Sequence, residues 1–515
     1  MHKRTPESFG DPPPNAARVW IPGVVDHIIS FLPRNFVACT IRLLDKSFAA
    51  EYSKFNIVRL SEPTPTSAFA RQWSDPANLR ALTFKQRLQL LCLTSRSGSL
   101  PNLALAVANA GIVLTSSSFS AMFTSAVVAC QFHICEWLIQ QGCCPPATSL
   151  KEAARAGSQA SCEWLLAHGC PWSPAAVYAA ARGGHVGLME WLLLQPHQQQ
   201  HCLARCPVPA PASSVNPFSL LVALVEGGCS LALLQHRYLH LTTTLANDQQ
   251  PQQHQQQHEV QWSEVAAEYR RAILKAAAAS PGPDWQAKVA WLEAQGFPRC
   301  SDACTGAAAC PDALERLTWL LARGYPANAE AATASAREGN AAALGLLLTT
   351  GGVHPGFFIA QEPAARGHLE VLAVLHSLGY RLPVEAMQVA AENGHVAVVQ
   401  WLFKTAQLGG SADVAASWAA RSGRLEVVGW LRQQQEYGGG GCDSGWAPGT
   451  VASAAEGGSG EMMEWLVKNG CPFRVPAAAG LKDPYVRAAR NGDLATLRCL
   501  HRLGCPWDAA GSTFT

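Results

Sequence analysis

The sequence predicts an all-α solenoid, a long array of stacked helix pairs behind a small three-helix segment. Three observations predict it. A tryptophan followed by leucine returns every 27 or 28 residues over long stretches. A glycine lies seven residues before most such positions. The apolar residues in between recur at helical spacing. At 515 residues the chain exceeds the ~250–300 residues that one core organises. Internal repetition therefore sets the architecture.

Residues 1–17 are polar and broken by prolines, with no apolar stretch of the signal-peptide kind, and are expected to be disordered. Residues 18–56 form the helical segment. Ile21, Val24, Val25, Ile28, Ile29 and Leu32 fit one helix, which Leu32-Pro33 ends. A second helix is expected over Phe36–Leu43 and a third around Lys46–Tyr52. Three helices this short make a marginal core alone, so they should dock on the array or on a partner. Residues 57–87 are expected to be a linker. The prolines between Ser61 and Pro65 would let the segment stand off, and Phe69–Trp73 would act as an opposing clamp.

From residue 88 to 515 the repeat takes over. Trp137, Trp164 and Trp191 share one slot, which Trp291, Trp319, Trp401, Trp430 and Trp465 resume; Leu346, Val374 and Cys499 fill it elsewhere. The glycines seven residues earlier include Gly157, Gly184, Gly339, Gly367, Gly394, Gly423, Gly458 and Gly492. Small residues precede them, as in Ala153-Ala154 and Ala390-Ala391. Alanine favours helix and lets a neighbouring backbone come close. The glycine ends the first helix in the left-handed cap conformation. A second glycine, often followed at two residues by proline as in Gly169-Cys170-Pro171, ends the second helix. One pair cannot bury both its faces, whereas a stack can. About thirteen copies fit between Leu88 and Trp507, with the tryptophans expected in the core. Low-complexity insertions are expected at 196–217, 243–260 and 433–449, with a degenerate copy at Leu220–Leu241 between the first two.

Ala390-Ala391-Glu392-Asn393-Gly394-His395-Val396 and Ala488-Ala489-Arg490-Asn491-Gly492-Asp493 resemble the ankyrin repeat position for position. The Thr-Pro-Leu-His opening of the usual repeat of about 33 residues is missing, and the period is shorter. The resemblance implies reduced fingers and a protein partner held on the concave, first-helix side. Tyr178, Arg182, Trp418 and Arg421 are the candidate contacts there. The N-terminal segment resembles an F-box through Ile21-Pro22, Ile29-Ser30-Phe31-Leu32-Pro33 and Arg42 to Lys46; Phe48 stands nearest the place of the family's tryptophan. That resemblance implies a Skp-type adaptor bound by Ile21, Pro22, Val25, Ile28, Ile29, Leu32, Pro33 and Phe36. The chain would then be the substrate receptor of a cullin-type ubiquitin ligase. The alternative is a plain scaffold whose N-terminal helices cap the array.

The remaining features argue against other classes. A net charge of +2 and 15% charged residues give no basic footprint for nucleic acid. No uninterrupted apolar run of ~18 residues is present to span a membrane. The 18 cysteines largely recur at repeat positions and read as small buried thiols of a reducing, cytoplasmic or nuclear compartment. His185, His368 and His395 read as turn residues that bond neighbouring backbone, not as catalysts. Cys300, Cys304 and Cys310 lack the spacing of a zinc site, and His197, His201, Cys202 and Cys206 lie in low-complexity sequence. No phosphate-binding or nucleophile-elbow motif occurs. The expectation is a monomeric, non-enzymatic binding protein without cofactor or metal.

Overall fold

The computed structural model describes residues 22–44, 46–195, 215–247, 255–349, 352–405, 411–438, 446–447, 449–473 and 483–506. Among the described residues the fold is all-helical, with no strand; one isolated antiparallel bridge joins Ile112 to Asp493. The expected disordered residues 1–17 and most of the insertion expected at 196–217 lie outside the described residues, as do 248–254 and 439–445 of the other two. The expectation of an unstructured insertion over 243–260 is corrected: the helices Leu231–Asn247 and Gln255–Ala279 take up most of it, and Leu425–Gly438 runs into the third.

The N-terminal segment contains α1 (Pro22–Phe31), α2 (Arg34–Cys39) and α3 (Lys46–Glu51). The expected helix over 36–43 starts earlier and ends sooner, tightening into a 3₁₀ turn at Ile41–Leu43. Val25, Ile29, Val37 and Tyr52 form a core separate from that of the array. The Tyr52 hydroxyl donates to Asp26 Oδ1 at 2.8 Å.

Residues 57–87 are not a free linker. They contain α4 (Thr66–Trp73) and α5 (Pro76–Arg80). The side chain of buried Asn35 donates to the Arg59 carbonyl at 2.7 Å and accepts from the Arg59 amide at 2.9 Å. Asn102, in the array, donates to the Thr64 carbonyl at 2.9 Å. Phe69 joins the array core. The expected stand-off is thus corrected: two buried asparagines satisfy the backbone of residues 59–64, a strap whose prolines have no N–H to offer.

The array opens with α6 (Phe84–Ser97) and α7 (Leu100–Asn109) and ends with the helices Pro484–Arg490 and Leu494–Arg502, thirteen pairs among the described residues. In the pair Ala147–Arg155 and Gln159–Ala167, Ala153 and Ala154 are fully buried, Gly157 turns the chain at φ 76°, and Ser158 caps the second helix by accepting from the Ser161 amide. Consecutive first helices pack in one continuous layer, more closely than consecutive second helices do. The array therefore curves with the first helices on the concave side. The close approach leaves no room for a Cβ at some positions: one placed on Gly227 would lie 2.1 Å from the Ala181 carbonyl oxygen.

The tryptophan slot is corrected. Trp137, Trp164, Trp191, Trp291, Trp319, Trp401, Trp430 and Trp465 are half-buried. The next residue is the core position: Leu138, Leu165, Leu192, Leu292, Leu320, Leu402 and Leu466 have no measurable exposure. Several of the indoles bridge successive second helices instead. Trp164 stacks on Phe132 with centroids 5.3 Å apart, Trp319 meets Trp285 at 5.2 Å, and Trp430 meets Phe403 at 5.3 Å. Because the second helices splay on the convex side, a wide ring spans the gap and one edge stays wet. Leu165→Ala is therefore expected to cost about 2–5 kcal/mol, and Trp164→Ala less than Leu165→Ala. Urea midpoints of the two variants give the order.

Candidate protein-binding surfaces

Two surfaces merit attention, the first-helix layer of the array and the outer face of α1. The first-helix layer is held by turn residues that reach back one pair. His395 Nε2 bonds the Ala365 carbonyl at 2.9 Å, Asn340 donates to the carbonyls of Ala308 and Cys310 at 3.0 and 2.9 Å, and Arg424 Nε donates to the Glu392 carbonyl at 3.3 Å. The histidine following the glycine thus has the structural role expected of it at His395, and His185 and His368 sit against Gly157 and Gly339 of the preceding pairs.

The four expected contacts lie on first helices, but the fold does not gather them. Tyr178 and Arg182 belong to the helix Pro174–Arg182, Trp418 and Arg421 to Ala412–Arg421, with six pairs between. Tyr178 is half-buried, and its hydroxyl accepts from the Asn216 amide at 2.7 Å. Trp418 is half-buried. Arg182 pairs with Glu226 at 2.6 Å and Arg421 with Glu456 at 2.5 Å, and Glu456 also holds Arg487. Arg366 and Glu338 make the same rung elsewhere. The two arginines therefore tie neighbouring pairs together at a partly exposed rim, where each ion pair is worth only ~0–1 kcal/mol. The sequence signal was available: each sits two residues before a repeat glycine, and Glu226 and Glu456 occupy the matching place one pair on.

On the N-terminal segment, Val25 and Ile29 are used up in its own core, and Leu32 and Phe36 are half-buried. Ile28 and Pro33 are exposed, α1 begins at Pro22, and Ile21 lies outside the described residues. The outer face instead carries Val24, Ile28 and Phe31, at 47%, 48% and 75% exposure. Val24 and Phe31 stand outside the expected adaptor contacts because α1 is apolar on two faces, and only the packing of α2 and α3 chose which face turned in.

The acid–base chemistry is that of structural groups. Burial works to raise the Asp284 carboxyl, but the Lys288 ammonium at 2.8 Å outweighs it and leaves the carboxyl below its ordinary range. Burial pushes the thiols of Cys135, Cys162 and Cys304 up to about 12. Such thiols carry almost no thiolate at neutral pH and are poor nucleophiles and ligands. Among the described residues no group of three His, Cys, Asp or Glu could hold a metal, and no helix is long and apolar enough to cross a membrane. His197, His201, Cys202 and Cys206 lie outside the described residues.

No family model matches the chain, and no curated protein is similar enough to count as a match. The thiol environments give a direct check. In the native protein, maleimide is expected to label the exposed Cys130 and Cys144 within minutes and to spare Cys135, Cys162 and Cys304 until denaturant is added, as read by peptide mass spectrometry.

Proposed function

We propose that the chain is a non-enzymatic protein-binding scaffold in the manner of ankyrin repeats. Its solenoid holds a protein partner on the first-helix face. Its N-terminal segment docks a Skp-type adaptor as an F-box does, so that the chain serves as a substrate receptor of a cullin-type ubiquitin ligase in the cytoplasm or nucleus. The observation that carries the adaptor reading is the apolar row Val24, Ile28 and Phe31, left bare on a helix whose other face already has its own core. Apolar surface of that kind marks a docking site more often than an idle face. A second reading has support of its own. Phe69 is anchored in the array core and Asn35 ties down the strap, as expected of a segment that caps the first pair.

The test uses the full chain in a pull-down with a purified Skp-type adaptor. Wild type is expected to recover the adaptor, and Val24→Glu with Phe31→Glu to lose it at unchanged helix content. No recovery by wild type would reject the ligase reading and leave the capped scaffold.

A further inference from the structure

The turn residue that starts a second helix has a duty that recurs at several junctions. The carbonyls that end the preceding first helix need a donor, since buried backbone groups left unpaired are costly. Histidine, asparagine and arginine supply one directly, as at His395, Asn340 and Arg424. Aspartate cannot. Where aspartate occupies the turn, a cation four residues on accompanies it. Asp284 has Lys288 at 2.8 Å, and Asp312 has Arg316 at 2.7 Å. Arg316 then donates to the carbonyls of Ala278 and Ser280 in the preceding pair, at 2.7 and 3.1 Å.

Asp493, at the turn of the last pair, breaks the rule. Four residues on stands Leu497. The cation comes from the other end of the array. Arg87, in α6, donates to Asp493 Oδ2 at 2.5 Å across 406 residues of sequence. The same guanidinium donates to the Gly458 carbonyl of the preceding pair at 3.0 Å and to the Ala110 carbonyl of its own pair at 2.8 Å. Arg87 and Asp493 are 1% and 0% exposed. Two backbone bonds flank them, Val113 amide to Gly492 carbonyl at 2.9 Å and Ala495 amide to Gly111 carbonyl at 3.1 Å.

We propose that the array is a closed ring whose seam is built around Arg87, and that this seam is a clasp able to open as a unit. The seam lacks the broad helix-on-helix packing found between neighbouring pairs; loops, turns and one buried ion pair make it. It is the thinnest interface in the ring and opens first. Closure gives the concave face a fixed circumference and seats α5 and the start of α6 on the last pairs, where Arg80 meets Glu464 at 3.5 Å. The proposal holds whether or not the N-terminal segment docks an adaptor.

The amides of Val113 and Ala495 report the seam, because each has its partner at the opposite end of the array. Hydrogen exchange and small-angle scattering on the full chain test it. Wild type is expected to protect both amides. Arg87→Met leaves Asp493 buried without a cation and risks misfolding, so the decisive variant is Arg87→Met with Leu497→Arg, which restores a local cation in the Asp312–Arg316 pattern. That variant is expected to keep its helix content, to exchange both amides at least tenfold faster and together, and to increase in radius of gyration. Arg316→Met, which loosens one internal junction, is expected to leave both amides protected. The proposal is overturned if wild type protects neither amide, or if the folded double variant exchanges them at the wild-type rate. Should the double variant not fold, the wild-type exchange decides alone.

Discussion

Everything in this molecule depends on how closely one first helix can approach the next. At a turn such as Gly227, where a side-chain carbon would meet the Ala181 oxygen at 2.1 Å, only glycine fits, and alanines fill the positions around it. That spacing makes the first-helix layer tight and the second-helix layer loose, and the difference between the layers is the curvature. It also explains the composition. Alanine pairs lie on the inside, fully buried leucines in the middle, and half-buried tryptophans bridge the wider outside gaps.

Close approach also concentrates backbone carbonyls at the ends of the first helices. Several junctions answer with a donor from the following turn, whether histidine, asparagine, arginine, or an aspartate with its cation. A linear solenoid would leave its last such turn to solvent. Here the last turn is buried against the first pair, so the two ends share one hydrogen-bonded junction. Repeat arrays are usually stabilised by neighbour contacts alone. A junction across 406 residues adds a term that no single repeat contains.

The N-terminal segment obeys a different logic. Its core of Val25, Ile29, Val37 and Tyr52 is too small to stand alone, and it is moored by the strap that Asn35 and Asn102 hold. The mooring fixes the segment and still leaves one side of α1 bare.

The sequence by itself determined the repeat: its period, the turn glycines and the all-helical class. These follow from local rules, since helical spacing and left-handed caps act within a few residues. Tertiary structure decided what depends on who faces whom. It placed Trp164 at an interface and Leu165 in the core, because both fit the same helix and only the neighbouring pair distinguishes them. It turned Val25 inward and Val24 outward on a helix apolar on two faces. It tied Arg182 and Arg421 into ion pairs between adjacent pairs rather than leaving them as free cations. It brought Arg87 to Asp493, because the total curvature of thirteen pairs is a sum of small rotations that no local motif encodes.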